Sequence, residues 1–170
     1  MRIALIIALL MALLVPATAA AAPPLVDCPT RGEPSPRQPT EARWILAGPV
    51  AWPRVQSDVF TRRRGGNVSV KRGISVDAGP TVTIRVLTRG AALIYRQSTR
   101  LAERPGEADR VLRFRACAPE TPLFSDEGTV GPRTGYPGAF VADRRKCVRV
   151  RVTAGGRSWH ARIAVGRVCR

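Results

Sequence analysis

Alternating apolar and polar residues mark three stretches near the end of the chain. They are Val111–Cys117, Cys147–Thr153 and Ser158–Gly166, and they read VLRFRAC, CVRVRVT and SWHARIAVG. A period of two residues is typical of β-strands with one buried face and one solvated face. The apolar positions of each stretch share one face. The opposite faces carry basic side chains: Arg113, Arg115, Arg149, Arg151, His160 and Arg162.

Shorter apolar runs upstream predict further strands. They include Val68–Val70, Ile74–Val76, Thr81–Thr88 with Arg85 pointing outward, and Ala92–Arg96 after a connection of hairpin length. No stretch has the period of an amphipathic helix, and Gly and Pro, 15 of each, interrupt the pattern. The sequence therefore predicts an all-β domain. We expect an immunoglobulin-like antiparallel β-sandwich of about 7–9 short strands, with a small β-barrel as the alternative.

The first 22 residues have the composition of a secretory signal peptide. Arg2 precedes thirteen apolar residues, and small residues follow up to Ala22. The alternative is an uncleaved anchor, because about twenty apolar residues can span a bilayer. Residues 23–40 form a Pro-rich arm, and residues 41–170 are expected to form a single β domain. We expect the cleaved chain to be secreted or associated with the cell envelope, with no later transmembrane segment.

All four cysteines lie beyond the predicted cleavage site. An even number in an exported chain indicates two disulfides, and no C-x2-C spacing suggests a metal site instead. Three pairings are possible. We favour Cys117–Cys147, because antiparallel neighbouring strands would bring these two strand ends together. The remaining pair, Cys28–Cys169, would then join the two ends of the domain.

For two groups of aromatic residues, the sequence allows either packing in the core or a binding role. Trp44 and Trp52 are expected to pack in the core, with a sugar-stacking platform as the alternative. Tyr136 and Phe140 occupy the long connection Pro119–Asp143, and a connection of this length is either functional or tied down. We expect the two rings either to pack beneath a disulfide-closed loop or to form an interaction loop for a protein partner.

Several motifs combine these cysteines with turn and core residues. They are L-x-F-x-A-C at Leu112–Cys117, T-G-Y-P-G-A-F at Thr134–Phe140, C-V-x-V-x-V at Cys147–Val152, V-G-x-V-C at Val165–Cys169, and the upstream Gly48–Trp52. In this pattern the chain resembles uncharacterised small secreted proteins of actinobacteria. In that group, Phe and Gly-Gly are more frequent where this chain has Tyr136 and Gly138-Ala139. The resemblance implies an exported β domain with paired cysteines, and it implies no activity.

The chain is strongly basic. Its formal net charge is +16, and 26 of its 28 basic residues are Arg. An excess of this size favours association with polyanions. If the three C-terminal strands are neighbours in one sheet, their basic side chains project from the same side, and like charges across strands are destabilising. A bound anion would reduce the repulsion between the basic side chains of this face.

Outside the cell, the ligand expected for this face is an anionic envelope polymer or another polyanion. Sequence-specific recognition of nucleic acid is not expected. The alternatives are a face that is simply solvated, or one that is partly covered by the acidic segment Glu103–Asp109. The alternative partner is a surface protein that binds the Tyr136 loop.

Nothing in the sequence indicates catalysis. His160 is the only histidine, and no acid is placed beside it as a general base requires. The serines occur in no nucleophile-elbow pattern, and no phosphate-binding loop is present. Asp126 and Glu127 could attract a cation, but adjacent acids in a loop are usually solvated. We therefore expect a protein that is not an enzyme and that needs no cofactor or metal.

Overall fold

The computed structural model describes residues 21–28, 33–35, 39–54, 60–122 and 129–169. The predicted signal peptide, residues 1–22, lies almost entirely outside these ranges, and so do Asp126 and Glu127. Within the described ranges, no helix has the length and apolar character needed to cross a membrane.

The described residues form short strands that are joined by turns. In chain order the strands are β1 (Leu25–Val26), β2 (Glu33–Pro34), β3 (Trp44–Ala47), β4 (Val50–Pro53), β5 (Thr61–Arg62), β6 (Val68–Lys71), β7 (Ile74–Asp77), β8 (Val82–Val86), β9 (Ala91–Ile94), β10 (Val111–Phe114), β11 (Arg133–Tyr136), β12 (Ala139–Ala142), β13 (Lys146–Ala154) and β14 (Arg157–Val165). Single 3-10 turns at Arg64–Gly66, Gln97–Thr99 and Pro105–Glu107 complete the regular structure.

The strands form three sheets. In the part of the chain that is described, sheet A has the order β1-β10-β8-β13-β14, sheet B the order β2-β11-β7-β4-β3, and sheet C the order β5-β6-β12-β9. Strand β14 of sheet A contacts β3 of sheet B, and β8 and β10 contact β9 of sheet C. The protein is therefore a β-sandwich in which sheet A packs against the other two sheets, and the all-β prediction is confirmed.

The strands are more numerous than the seven to nine expected. The connection Pro119–Asp143 contains β11 and β12, and the Pro-rich arm supplies β1 and β2. Strand β12 was not predicted because its four residues are all apolar and do not alternate with polar residues. Strand β11 contains a glycine, which weakens the same signal.

The predicted hairpin between Thr81–Thr88 and Ala92–Arg96 is wrong. Strand β8 lies in sheet A and β9 in sheet C, so the chain crosses between layers at Gly90. The burial patterns explain the difference. Strand β8 alternates between buried and accessible positions, whereas all four residues of β9 are buried and therefore need cover on both faces.

Four aromatic rings meet where the three sheets come together. Phe114 of β10 lies edge-on to Tyr95, which follows β9, with the ring centroids 5.4 Å apart, and to Tyr136 of β11 at 5.5 Å. Phe140 of β12 also packs edge-on against Tyr95. Burial raises the pKa of both tyrosines, whose hydroxyls donate to the carbonyl oxygens of Arg72 and Arg115.

This packing excludes the binding alternatives for two groups of aromatic residues and agrees with the expectation that their rings pack. Tyr136 is 1% exposed and Phe140 is fully buried, so they cannot form an interaction loop for a partner. Trp52 is also fully buried, so with the half-buried Trp44 it cannot form a sugar-stacking platform. In each case the apolar ring is needed to fill the space between sheets.

The disulfides are Cys28–Cys117 and Cys147–Cys169, and the favoured pairing Cys117–Cys147 is wrong. Strand β8 lies between β10 and β13. Cys117 follows β10 and Cys147 lies in β13, so the two cysteines are not on neighbouring strands. The parallel pairing of β1 with β10 instead brings Cys28 beside Cys117. Two disulfides indicate an oxidising environment outside the cytoplasm.

Candidate functional site

The outer face of sheet A carries the basic side chains that the sequence alternation predicts. In β13, Val148, Val150 and Val152 are buried, whereas Arg149 and Arg151 are exposed. Directly opposed residues in a sheet project from the same face. The strand register therefore decides which basic residues of the neighbouring strands accompany Arg149 and Arg151.

Two rows of basic residues run across sheet A, the first over β8, β13 and β14 and the second over β13 and β14. In the first row, Arg151 of β13 is opposite Arg85 of β8 on one side and opposite His160 of β14 on the other. In the second row, Arg149 is opposite Arg162. We call the five residues of these rows the basic cluster: Arg85, Arg149, Arg151, His160 and Arg162. All five are exposed.

The structure does not bring all predicted residues into the basic cluster. Strand β8 separates β10 from β13, so Arg113 is paired with Thr83 rather than with an arginine. The Nε–H of Arg113 donates to the carbonyl oxygen of Pro23 at 3.0 Å, and Arg115 forms an ion pair with Asp27 at 3.2 Å. The N-terminal arm thus occupies both arginines, and neither belongs with the basic cluster.

Arg85 is the residue of this site that the sequence prediction did not include. Its outward direction was clear from the alternation of β8, but its place between β10 and β13 was not. Non-local strand order is set by the packing of whole sheets, and local periodicity does not report it. The signal available in the sequence was that Arg85 points outward from Thr81–Thr88, the longest alternating stretch in the middle of the chain.

Six ion pairs are found among the described residues. They join Arg63 with Glu103, Arg96 with Asp109, Arg104 with Glu107, Arg115 with Asp27, Arg133 with Asp77, and Lys146 with Asp143. None of these ion pairs involves Arg85, Arg149 or Arg151. The acidic segment Glu103–Asp109 therefore does not cover the basic cluster, because its carboxylates neutralise arginines at other places.

One hydrogen bond joins two members of the basic cluster: Arg151 donates from Nε to Nε2 of His160 at 3.4 Å, which is a long hydrogen bond. Opposed Cβ atoms in an antiparallel sheet are about 4.5–5.5 Å apart, and like charges directly opposite each other, such as Arg85 and Arg151, destabilise the sheet. An anion lying across the two rows would turn this repulsion into attraction.

The side chains of the basic cluster are suited to contacts with anions. Guanidinium groups present planar forks of N–H donors that match phosphate and carboxylate oxygens. Exposed and adjacent arginines suit a ligand with repeated negative charges rather than a single buried anion. No cluster of three or more His, Cys, Asp or Glu residues that could hold a metal ion occurs in the described ranges.

Neither a protein family nor any curated protein or solved structure matches this chain.

Proposed function

We propose that this protein is an exported, non-catalytic β-sandwich that binds anionic cell-envelope polymers, or other extracellular polyanions, through the basic cluster of sheet A. The observation that carries the proposal is the direct opposition of Arg85 with Arg151 and of Arg149 with Arg162 on an exposed face. Like charges directly opposite each other destabilise a sheet, so an anionic ligand that lies across Arg85 and Arg151 would stabilise this face.

The charge distribution supports a polymeric ligand. The net charge of the chain is +16, and none of the six ion pairs found among the described residues involves Arg85, Arg149 or Arg151. A surface of one sign raises the local concentration of oppositely charged polymer and speeds its association. The nine-residue strands β13 and β14 fix the backbone of Arg149, Arg151 and Arg162, so little backbone entropy is lost on binding.

The location of the ligand follows from the expected location of the protein. The disulfides require an oxidising environment, and residues 1–22 have the pattern of a signal peptide. The resemblance to small secreted actinobacterial proteins agrees with export. Wall polymers and acidic polysaccharides are the polyanions that an exported protein of this kind meets at the highest local density.

Charge reversal at Arg85, Arg149 and Arg151 tests the proposal. The oxidised protein lacking residues 1–22 is applied to immobilised inorganic polyphosphate and eluted with a salt gradient. The triple variant Arg85→Glu, Arg149→Glu, Arg151→Glu is expected to elute at much lower salt. Each arginine that contacts a phosphate releases close to one counterion when the complex forms. The magnitude of the slope of log K, where K is the association constant, against log salt concentration should therefore decrease by roughly three.

A control triple carries the same change in net charge at other exposed arginines. Arg62→Glu, Arg100→Glu, Arg144→Glu alters residues on strand β5 and in two connections between strands, outside the two rows of the basic cluster. Retention of this variant should stay close to that of the unmodified protein. Equal losses in the two triples would show that binding follows net charge alone, and the basic cluster would then not be the site. Binding to a polyuronate in parallel separates a preference for phosphate from one for carboxylate.

A further inference from the structure

The single histidine of the chain lies inside the basic cluster. His160 of β14 is directly opposite Arg151 of β13, and Arg151 is opposite Arg85 of β8 on its other side. All three side chains are on the exposed face of sheet A. Guanidinium groups stay charged at every physiological pH, whereas an imidazole gains or loses its charge in the physiological range. The first row of the basic cluster therefore contains two permanent charges and one variable charge.

The contact between Arg151 and His160 requires a neutral imidazole. Arg151 donates from its Nε–H to Nε2 of His160, so Nε2 is an acceptor and carries no proton. A protonated imidazole has an N–H donor at both ring nitrogens and cannot accept this hydrogen bond. Protonation of His160 therefore replaces a weak attraction with repulsion between two adjacent cations.

The charged groups around His160 are cations. Besides Arg151, the charged side chains of β13 and β14 are Lys146, Arg149, Arg157 and Arg162. Strands β3, β6 and β12 also contact β14, and Lys71 of β6 is the one charged side chain that these three strands carry. None of the six ion pairs found among the described residues brings a carboxylate to His160 or Arg151. In the free protein, these contacts leave the charge of a protonated His160 opposed by its neighbours.

We infer that His160 makes anion binding by the basic cluster dependent on pH, with tighter binding when the imidazole is protonated. The inference rests on the function proposed above and adds a regulation of the same site. A polyanion that lies across the first row turns the repulsive third cation into a further contact, and the imidazolium offers it charged N–H donors. Because imidazole ordinarily changes its charge between about pH 5 and pH 8, the affinity should rise as the pH falls through this range.

The same coupling requires that protons are taken up when the complex forms. A polyanion that favours protonated His160 makes the complex bind protons more strongly than the free protein does, since the coupling between two ligands is reciprocal. Once the pH is low enough for His160 to be protonated in both states, the affinity should become constant. Proton uptake and the pH dependence of the affinity are therefore two independent measurements of one effect.

Titration with dextran sulfate at constant ionic strength tests the inference. The sulfate esters of this polymer stay ionised throughout the range, so the ligand contributes no proton exchange. The oxidised protein lacking residues 1–22 should bind about fivefold more tightly at about pH 5.5 than at about pH 7.5, the gain expected for one further basic group at an anionic surface. The magnitude of the slope of log K against log salt concentration should be larger by about one at the lower pH. Calorimetry in buffers of different ionisation enthalpy should detect proton uptake.

Three variants locate the effect at His160. His160→Gln retains an acceptor for Arg151 but does not titrate, and it should lose both the pH dependence and the proton uptake. His160→Arg carries a permanent charge, and it should bind tightly at both pH values. Arg100→His, combined with His160→Gln, places a histidine at an exposed position outside the basic cluster and should not restore the pH dependence.

The outcomes separate this inference from the proposed function. The triple variant Arg85→Glu, Arg149→Glu, Arg151→Glu should bind dextran sulfate much more weakly at both pH values. If it does, but the unmodified protein binds equally well at both, the inference is wrong and the proposed function stands. Restored pH dependence in the Arg100→His variant would show that pH acts through net charge, which would also overturn the inference. Undiminished binding by the triple variant would contradict the proposed function and the inference together.

Discussion

Removal of the Cys28–Cys117 disulfide by Cys28→Ala with Cys117→Ala is expected to lower the free energy of unfolding by about 4.5 kcal/mol. The bond closes a segment with a sequence separation of 89 residues, and cross-linking distant residues removes more conformational freedom from the unfolded chain than cross-linking near ones. It also holds β1 against β10, where the arm satisfies Arg113 and Arg115. Denaturant unfolding of the oxidised protein measures the loss.

The second disulfide provides an internal comparison. Cys147–Cys169 has a sequence separation of 22 residues, which corresponds to about 3.5 kcal/mol in the same treatment. Removal of Cys28–Cys117 should therefore lower the free energy of unfolding more than removal of Cys147–Cys169 does. A larger loss from removing Cys147–Cys169 would contradict the assignment of the Cys28–Cys117 bond as the main covalent constraint on the fold.

Phe114→Ala is expected to cost about 4 kcal/mol, in the range for a large aromatic side chain removed from a core. Phe114 is fully buried and packs edge-on against Tyr95 and Tyr136, so its loss leaves a cavity where elements of all three sheets meet. The neighbouring rings are held by their own hydrogen bonds to backbone carbonyls and cannot collapse freely into the space. Thermal or denaturant unfolding measures the effect.

Phe60→Ala is the matched control for this substitution. Phe60 is only partly buried, and Arg145 covers its ring at 4.2 Å from the centroid. Removing it should cost about 1 kcal/mol, because much of its surface already contacts a solvated side chain. If Phe114→Ala destabilised the protein no more than Phe60→Ala, the aromatic cluster would not be a centre of the core.

The sequence predicted best those elements whose signal is local. Strands β13 and β14 alternate over nine residues and turn at Gly155-Gly156, so their bounds and their exposed arginines followed from the pattern. The directions of the basic side chains were correct for the same reason. Alternation reports which face of a strand is buried, because successive side chains point to opposite sides.

The sequence could not predict what depends on strand order. The insertion of β8 between β10 and β13 brought Arg85 into the site, removed Arg113 and Arg115 from it, and prevented the pairing of Cys117 with Cys147. Strand order reflects the packing of complete sheets against each other, which a local window does not contain. The burial of Arg72, which is 1% exposed, was missed because charged residues are expected outside, and nothing next to it in sequence marks it as buried.

If the basic cluster binds anions as proposed, it does so at a cost in stability. Arg85 opposite Arg151 is a like-charge pair, which destabilises a sheet by a few tenths of a kcal/mol up to about 1 kcal/mol. Binding sites are often less stable than the rest of a fold for this reason. A substitution that relieves the repulsion should therefore stabilise the free protein and weaken the complex.

The unfolding free energy of Arg151→Glu, measured at low salt with and without inorganic polyphosphate, tests this account most directly. Without polyphosphate, the variant should be more stable than the unmodified protein by about 1 kcal/mol, because a repulsive pair with Arg85 becomes attractive. With polyphosphate in large excess, the unmodified protein should become the more stable of the two, since binding to the folded state adds about 2.7 kcal/mol at a hundredfold excess over the dissociation constant. The same order of stability in both conditions would contradict the assignment of sheet A as the polyanion-binding face.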